Sequence, residues 1–104
     1  MIANCDKFKA LVPIVSETEL YVDGKWNDPK FYLFNYNKLN KDIAIHSIKI
    51  LKQYDNEGKL QVSAHWSFKN YKTEKPALKA LSTCIKNVKE FNNLLRIAQA
   101  HEDF

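Results

Sequence analysis

IAIHSIKILKQYDNEGKLQVSAHWSFKNY, residues 43 to 71, reads as one long β-hairpin, and the rest of the chain is organised around it. In its second arm Leu60, Val62, Ala64, Trp66 and Phe68 alternate with Gln61, Ser63, His65, Ser67 and Lys69. This period of two marks a half-buried strand. The first arm carries β-branched Ile43, Ile45, Ile48 and Ile50, but its alternation is irregular, so the turn must set the register. A three-residue loop, Asn56-Glu57-Gly58, puts Gly58 at the left-handed position that closes a type I turn. It pairs Tyr54 with Leu60, Ile50 with Ala64, Ile48 with Trp66 and His46 with Phe68. A four-residue loop would set Ile48 opposite His65 and Ile50 opposite Ser63. Placing apolar beside apolar favours the shorter loop. In that register His46 lies on the core face and His65 on the outer face, across from Lys49, so the two histidines cannot share a metal ion.

Upstream of the hairpin, Asn37 to Asp42 is a polar loop, and Phe31 to Tyr36 reads as extended structure. Asn27-Asp28-Pro29 interrupts it on the other side, because proline cannot donate to a central ladder. Glu19 to Trp26 reads as a second, tight hairpin about Asp23-Gly24, a strong type I′ signal. Residues 4 to 12 allow a short helix capped by Asn4 or Asp6, with Cys5, Phe8 and Leu11 or Val12 facing inward and Pro13 ending it.

Downstream, Thr73 is an N-cap candidate, with Glu74 and Pro76 in the first turn of a helix expected from about Glu74 to Ala100. Such a helix is about 40 Å long, and each hairpin arm spans roughly 34 Å. Projection at helical period gathers Leu78, Leu81, Cys84, Ile85, Val88, Phe91, Leu95 and Ala98 in one core-facing arc. Leu94 and Ile97 fall outside that arc, and Asn92 falls inside it. The expected fold is α+β: a single-layer, mostly antiparallel sheet of about four strands in two hairpins. A long C-terminal helix covers one face, and a short N-terminal helix completes it. Residues 1–104 read as one domain, long enough to bury roughly two-thirds of the unfolded surface.

Composition narrows the function classes. The chain is 45% hydrophobic and 12% aromatic, which places it among globular rather than disordered sequences. Its net charge of +4 rests on sixteen basic residues, of which Arg96 is the sole arginine. Lysine suits phosphate steering, whereas bidentate reading of guanine edges needs arginine, so sequence-specific duplex recognition is disfavoured. Cys5 and Cys84 form no CxxC pair. The ordinary reading of Cys84 is a buried free thiol, with a disulfide as the alternative. No signal peptide or membrane span is evident. The default location is therefore cytoplasmic, in a reducing compartment.

Three surfaces carry functional candidates. The outer hairpin face joins Ser47, Lys49 and Gln53 to Gln61, Ser63, His65, Ser67 and Lys69, polar and weakly basic; it is either a solvated sheet face or a surface for phosphate or protein recognition, with Lys49 and Lys69 as the phosphate- or acid-contacting residues. The aromatic strand puts Tyr32, Phe34 and Tyr36 on one side, where they could stack bases or anchor a protein partner. The exposed helix side aligns Lys79, Lys86, Lys89 and Arg96, a phosphate- or acid-facing stripe. Leu94 and Ile97 are either covered by the N-terminal helix or form a contact surface for a partner or a second copy of the chain. His65 beside Ser63 and Ser67 lacks an orienting acid. Cys5, Cys84, His46, His65 and His101 show no metal-ligand spacing. No cofactor is implied. These readings point to a non-enzymatic binding module acting on a larger protein or protein–nucleic-acid complex. The alternative is sequence-tolerant nucleic-acid binding through the lysines and the aromatic strand.

Overall fold

The computed structural model describes residues 1–12, 20–22, 25–27 and 33–102. In chain order the elements are α1 (Asp6–Leu11), β1 (Leu20–Val22), β2 (Lys25–Asn27), β3 (Phe34–Asn37), β4 (Asp42–Tyr54), β5 (Leu60–Tyr71) and α2 (Glu74–Glu102). The arrangement is α+β. β3, β4 and β5 form an antiparallel sheet in that order, and β1 and β2 pair separately. The sheet thus has three strands rather than about four, because the early hairpin does not join the long one among the described residues. Its register is Leu20↔Asn27 through Val22↔Lys25, which leaves two residues between the arms. The Asp23-Gly24 turn itself, Pro13, Asp28-Pro29, Phe31 and Tyr32 lie outside the described residues.

The register of the long hairpin follows the three-residue loop. Tyr54 pairs with Leu60, Ile50 with Ala64, Ile48 with Trp66 and His46 with Phe68. Gly58 has a φ of +80°, the left-handed conformation that glycine enters without a Cβ penalty. Asp55 ties the loop together. Its Oδ1 accepts from the amides of Glu57 at 2.9 Å and Lys59 at 2.8 Å. Its own backbone amide donates to Lys59 O at 3.0 Å, and its carbonyl accepts from Gly58 at 3.0 Å.

β4 buries opposite sides in its two halves. Ile43 and Ile45 are buried, and so is Ile48, although alternate residues of a strand point to opposite faces. No bulge reconciles them: pairing runs unbroken from Ile43↔Tyr71 to Tyr54↔Leu60. At the Ile43 end the covered side holds Tyr36 and Phe34, cross-strand neighbours of Ile43 and Ile45. The N-terminal segment supplies the cover there. The Phe8 and Phe34 ring centroids are 6.0 Å apart, Ile2 N donates to Lys41 O at 3.0 Å, and the Tyr36 hydroxyl donates to Ile2 O at 2.6 Å. Toward the tip, the covered side is that of Ile48, Ile50, Val62, Ala64 and Trp66. The irregular alternation of the first arm is the trace of this change of side.

Phe68 departs from expectation for the same reason. It shares the side of Trp66 and Ile48 but lies beyond the changeover, and it is 66% exposed. The His46 ring lies near it in a T-shaped arrangement, 6.0 Å between centroids.

α2 lies against β4 and β5. Leu81, Cys84, Ile85, Val88 and Phe91 are buried, while Leu78, Leu95 and Ala98 are half-buried, which is the expected stripe with Ala77 added at its start. Glu74 and Pro76 occupy the first turn, where a missing amide removes no intrahelical bond. In α1, Phe8 is buried and Cys5 holds the N-cap position. The Asn4 side chain accepts from the Asp6 amide at 3.1 Å.

Candidate interaction surfaces

The outer hairpin face is built by the register. Ser47, Lys49, Gln53, Gln61, Ser63, His65, Ser67 and Lys69 are all exposed on one side of the ladder. Ser47 Oγ and Ser67 Oγ are 2.7 Å apart, and Lys69 Nζ sits 5.5 Å above the Tyr71 ring. Lys49 faces His65 directly. His46 is on the opposite side, half-buried, and desolvation lowers its imidazole below the ordinary 6.5. The two histidines are therefore not brought together. Among the described residues no three His, Cys, Asp or Glu side chains gather into a metal-binding group.

The aromatic strand turns its described rings inward. Phe34 and Tyr36 are half-buried, one against Phe8 and the other bonded through its hydroxyl to Ile2. Tyr32 lies outside the described residues. Half-burial limits the open ring face that Phe34 and Tyr36 could offer for stacking of a base.

On α2, Lys79, Lys86, Lys89, Asn93 and Arg96 are exposed and share one arc of the helix. Ion pairs among the described residues join Lys7 to Glu74 at 2.8 Å and Lys59 to Glu57 at 3.6 Å. None involves the helix stripe, Lys49 or Lys69, so among the described residues their charge is not offset by a carboxylate at contact distance. The Lys7–Glu74 contact also locates α1 in the fold. It places α1 beside the start of α2, whereas Leu94 is twenty residues further along, about 30 Å away. α1 therefore does not cover Leu94 and Ile97. Leu94 is half-buried and Ile97 is 42% exposed.

Two features carry more weight in the structure than in the sequence reading. The tip of the long hairpin, from Leu51 to Lys59, is exposed throughout, with Tyr54 at 73% and Leu51 at 42%. The Asp55 carboxylate links the two arms there, accepting from the Lys59 amide at 2.8 Å and from Gln61 Nε2 at 3.4 Å. The second is Asn92, 2% exposed within the apolar arc of α2, whose amide oxygen and nitrogen both lack a hydrogen-bond partner among the described residues. A buried unpaired amide is costly, on the order of 1–3 kcal/mol. The sequence signal for it was an asparagine inside an otherwise apolar helical arc.

Both cysteines are free. Burial pushes the Cys84 thiol up to about 12, which makes it an inert core residue rather than a nucleophile. No helix among the described residues is long and apolar enough to cross a membrane. No protein-family model, curated protein or solved structure matches the chain.

Proposed function

We propose that this chain is a small non-enzymatic binding module that acts by occupying a larger protein or protein–nucleic-acid complex, with the tip of the long hairpin as its leading contact. The observation that carries this reading is the ladder that continues to Tyr54↔Leu60 while every side chain from Leu51 to Lys59 stays exposed. A hydrogen-bonded hairpin tip with an open tyrosine loses less conformational freedom on docking than an unpaired loop would, and tyrosine is favoured at interface hot spots. Two free cysteines fit a reducing, cytoplasmic setting. The test compares the wild-type chain with Tyr54→Ala and Leu51→Ser in cross-linked capture from cells, with folding checked by circular dichroism. A specific partner retained by the wild type and lost by both variants supports the reading. Equal capture by all three proteins overturns it.

A second reading, direct and sequence-tolerant nucleic-acid binding, is favoured by Lys79, Lys86, Lys89 and Arg96, exposed cations with no ion-pair partner among the described residues. From the aromatic strand, half-buried Phe34 and Tyr36 add less to it than the exposed cations do. Fluorescence anisotropy with single-stranded and duplex oligonucleotides decides it. Phosphate binding through the stripe should weaken steeply with salt. Changing Lys79, Lys86 and Lys89 to glutamine should then reduce the duplex log–log salt slope by about 2–3.

A further inference from the structure

Among the described residues the outer edge of β5 has no strand beside it, since β5 ends the order β3-β4-β5. Such an edge offers a row of unpaired backbone donors and acceptors, and proteins that avoid pairing there protect it with lysine, proline or a bulge. From Leu60 to Phe68, β5 has no charged residue, proline or glycine, and its ladder to β4 contains no bulge. On the opposite edge, the part of β4 that has no partner strand among the described residues, beyond the segment paired with β3, carries Lys49 and Lys52, the usual protection. We propose that β5 pairs antiparallel with β5 of a second copy of this chain, about a two-fold axis through His65. This surface lies beyond the hairpin tip invoked above and does not depend on it.

The register is selected by self-complementarity. Core and outer faces match across the axis only if the numbers of facing residues add to an even constant. With His65 on the axis, Ala64 faces Trp66 of the second copy, Val62 faces Phe68, Ser63 faces Ser67 and Gln61 faces Lys69. Small residues then meet large ones, and the open Phe68 ring, 66% exposed in one chain, gains an apolar neighbour. Gln61 Nε2 lies 3.4 Å from the Asp55 carboxylate, so Lys69 of the second copy arrives beside an acidic group. The neighbouring even registers are worse. An axis at Ala64 sets Lys59 against Lys69, and an axis at Trp66 sets the two indoles against each other.

The product is a six-stranded sheet closed by an isologous contact, which does not propagate. Its two hairpin tips point in opposite directions, about 50 Å apart.

The axis residue supplies the test, because it faces itself. His65 is exposed on the outer face, so His65→Lys and His65→Glu should fold as the wild type does, checked by their melting curves. Sedimentation equilibrium should give the wild type a mass twice that of the 12.2 kDa chain. Each variant alone repels itself, whereas an equimolar mixture pairs lysine with glutamate. Self-association of either variant should be about tenfold weaker than association in the mixture. A wild type that remains at the mass of one chain up to about 300 µM overturns the proposal. So does a dimer indifferent to both variants, which would assign the contact elsewhere, such as Leu94 and Ile97. Open-ended growth overturns the closed two-fold geometry.

Discussion

Gly58 tests the register on which every face assignment depends. Its φ of +80° is the left-handed region, and a Cβ added there would meet nothing within 4 Å. The cost of Gly58→Ala is therefore backbone strain alone, with no steric clash to confuse it. Left-handed geometry costs an L-residue roughly 1–2 kcal/mol, and a stiffer unfolded chain offsets about half a kcal/mol of that. A net loss near 1 kcal/mol should lower the melting temperature by about 4–8 °C for a domain of this size. Gly58→Asn should lose much less, because asparagine enters the left-handed region more readily. Thermal unfolding followed by far-ultraviolet circular dichroism, with tryptophan fluorescence as a second probe, measures both. If the alanine variant melts at or above the wild-type temperature, residue 58 is not left-handed. The loop would then be of another length, Ile48 would no longer face Trp66, and the assignment of inner and outer faces would fall with it.

Other consequences can be checked alongside. Leu81→Ala empties a fully buried position of α2 and should cost about 2–5 kcal/mol in urea unfolding. Ile97→Ala, at a site 42% exposed, should change stability by only about 0.5 kcal/mol or less; comparable losses at both sites would mean that α2 is rotated. A thiol reagent at neutral pH should modify half-buried Cys5 in the native protein and reach Cys84 only after unfolding, since Cys84 is buried and its thiol is pushed up to about 12. Equal labelling rates would place Cys84 outside the core. Desolvation holds His46 below the ordinary 6.5, so the folded chain accepts a proton less readily than the unfolded one. The stability this represents is present above the unfolded value and is lost as pH falls through it toward the depressed folded value. The drop in melting temperature between about pH 7.5 and pH 5.5 should be smaller in His46→Gln than in the wild type; an equal drop would show that His46 is solvated.

Much of this fold was legible because its signals are local. The alternation of residues 60 to 68, the glycine of the hairpin loop and the helical arc from Leu78 to Ala98 each report a period or a dihedral that neighbouring residues impose on one another. Those signals specified an α+β chain, the pairing of every residue from Tyr54↔Leu60 back to His46↔Phe68, and the inward stripe of the long helix. Period alone says which residues share a side; it does not say which side is covered. That was decided in three dimensions, where the N-terminal segment seats Ile2 and Phe8 over the Ile43 end and the covered side changes before Ile48. Phe68, Phe34 and Tyr36 all change character through that placement. The first becomes open and the other two are drawn toward the core, because burial depends on segments remote in sequence whereas alternation depends only on the strand itself.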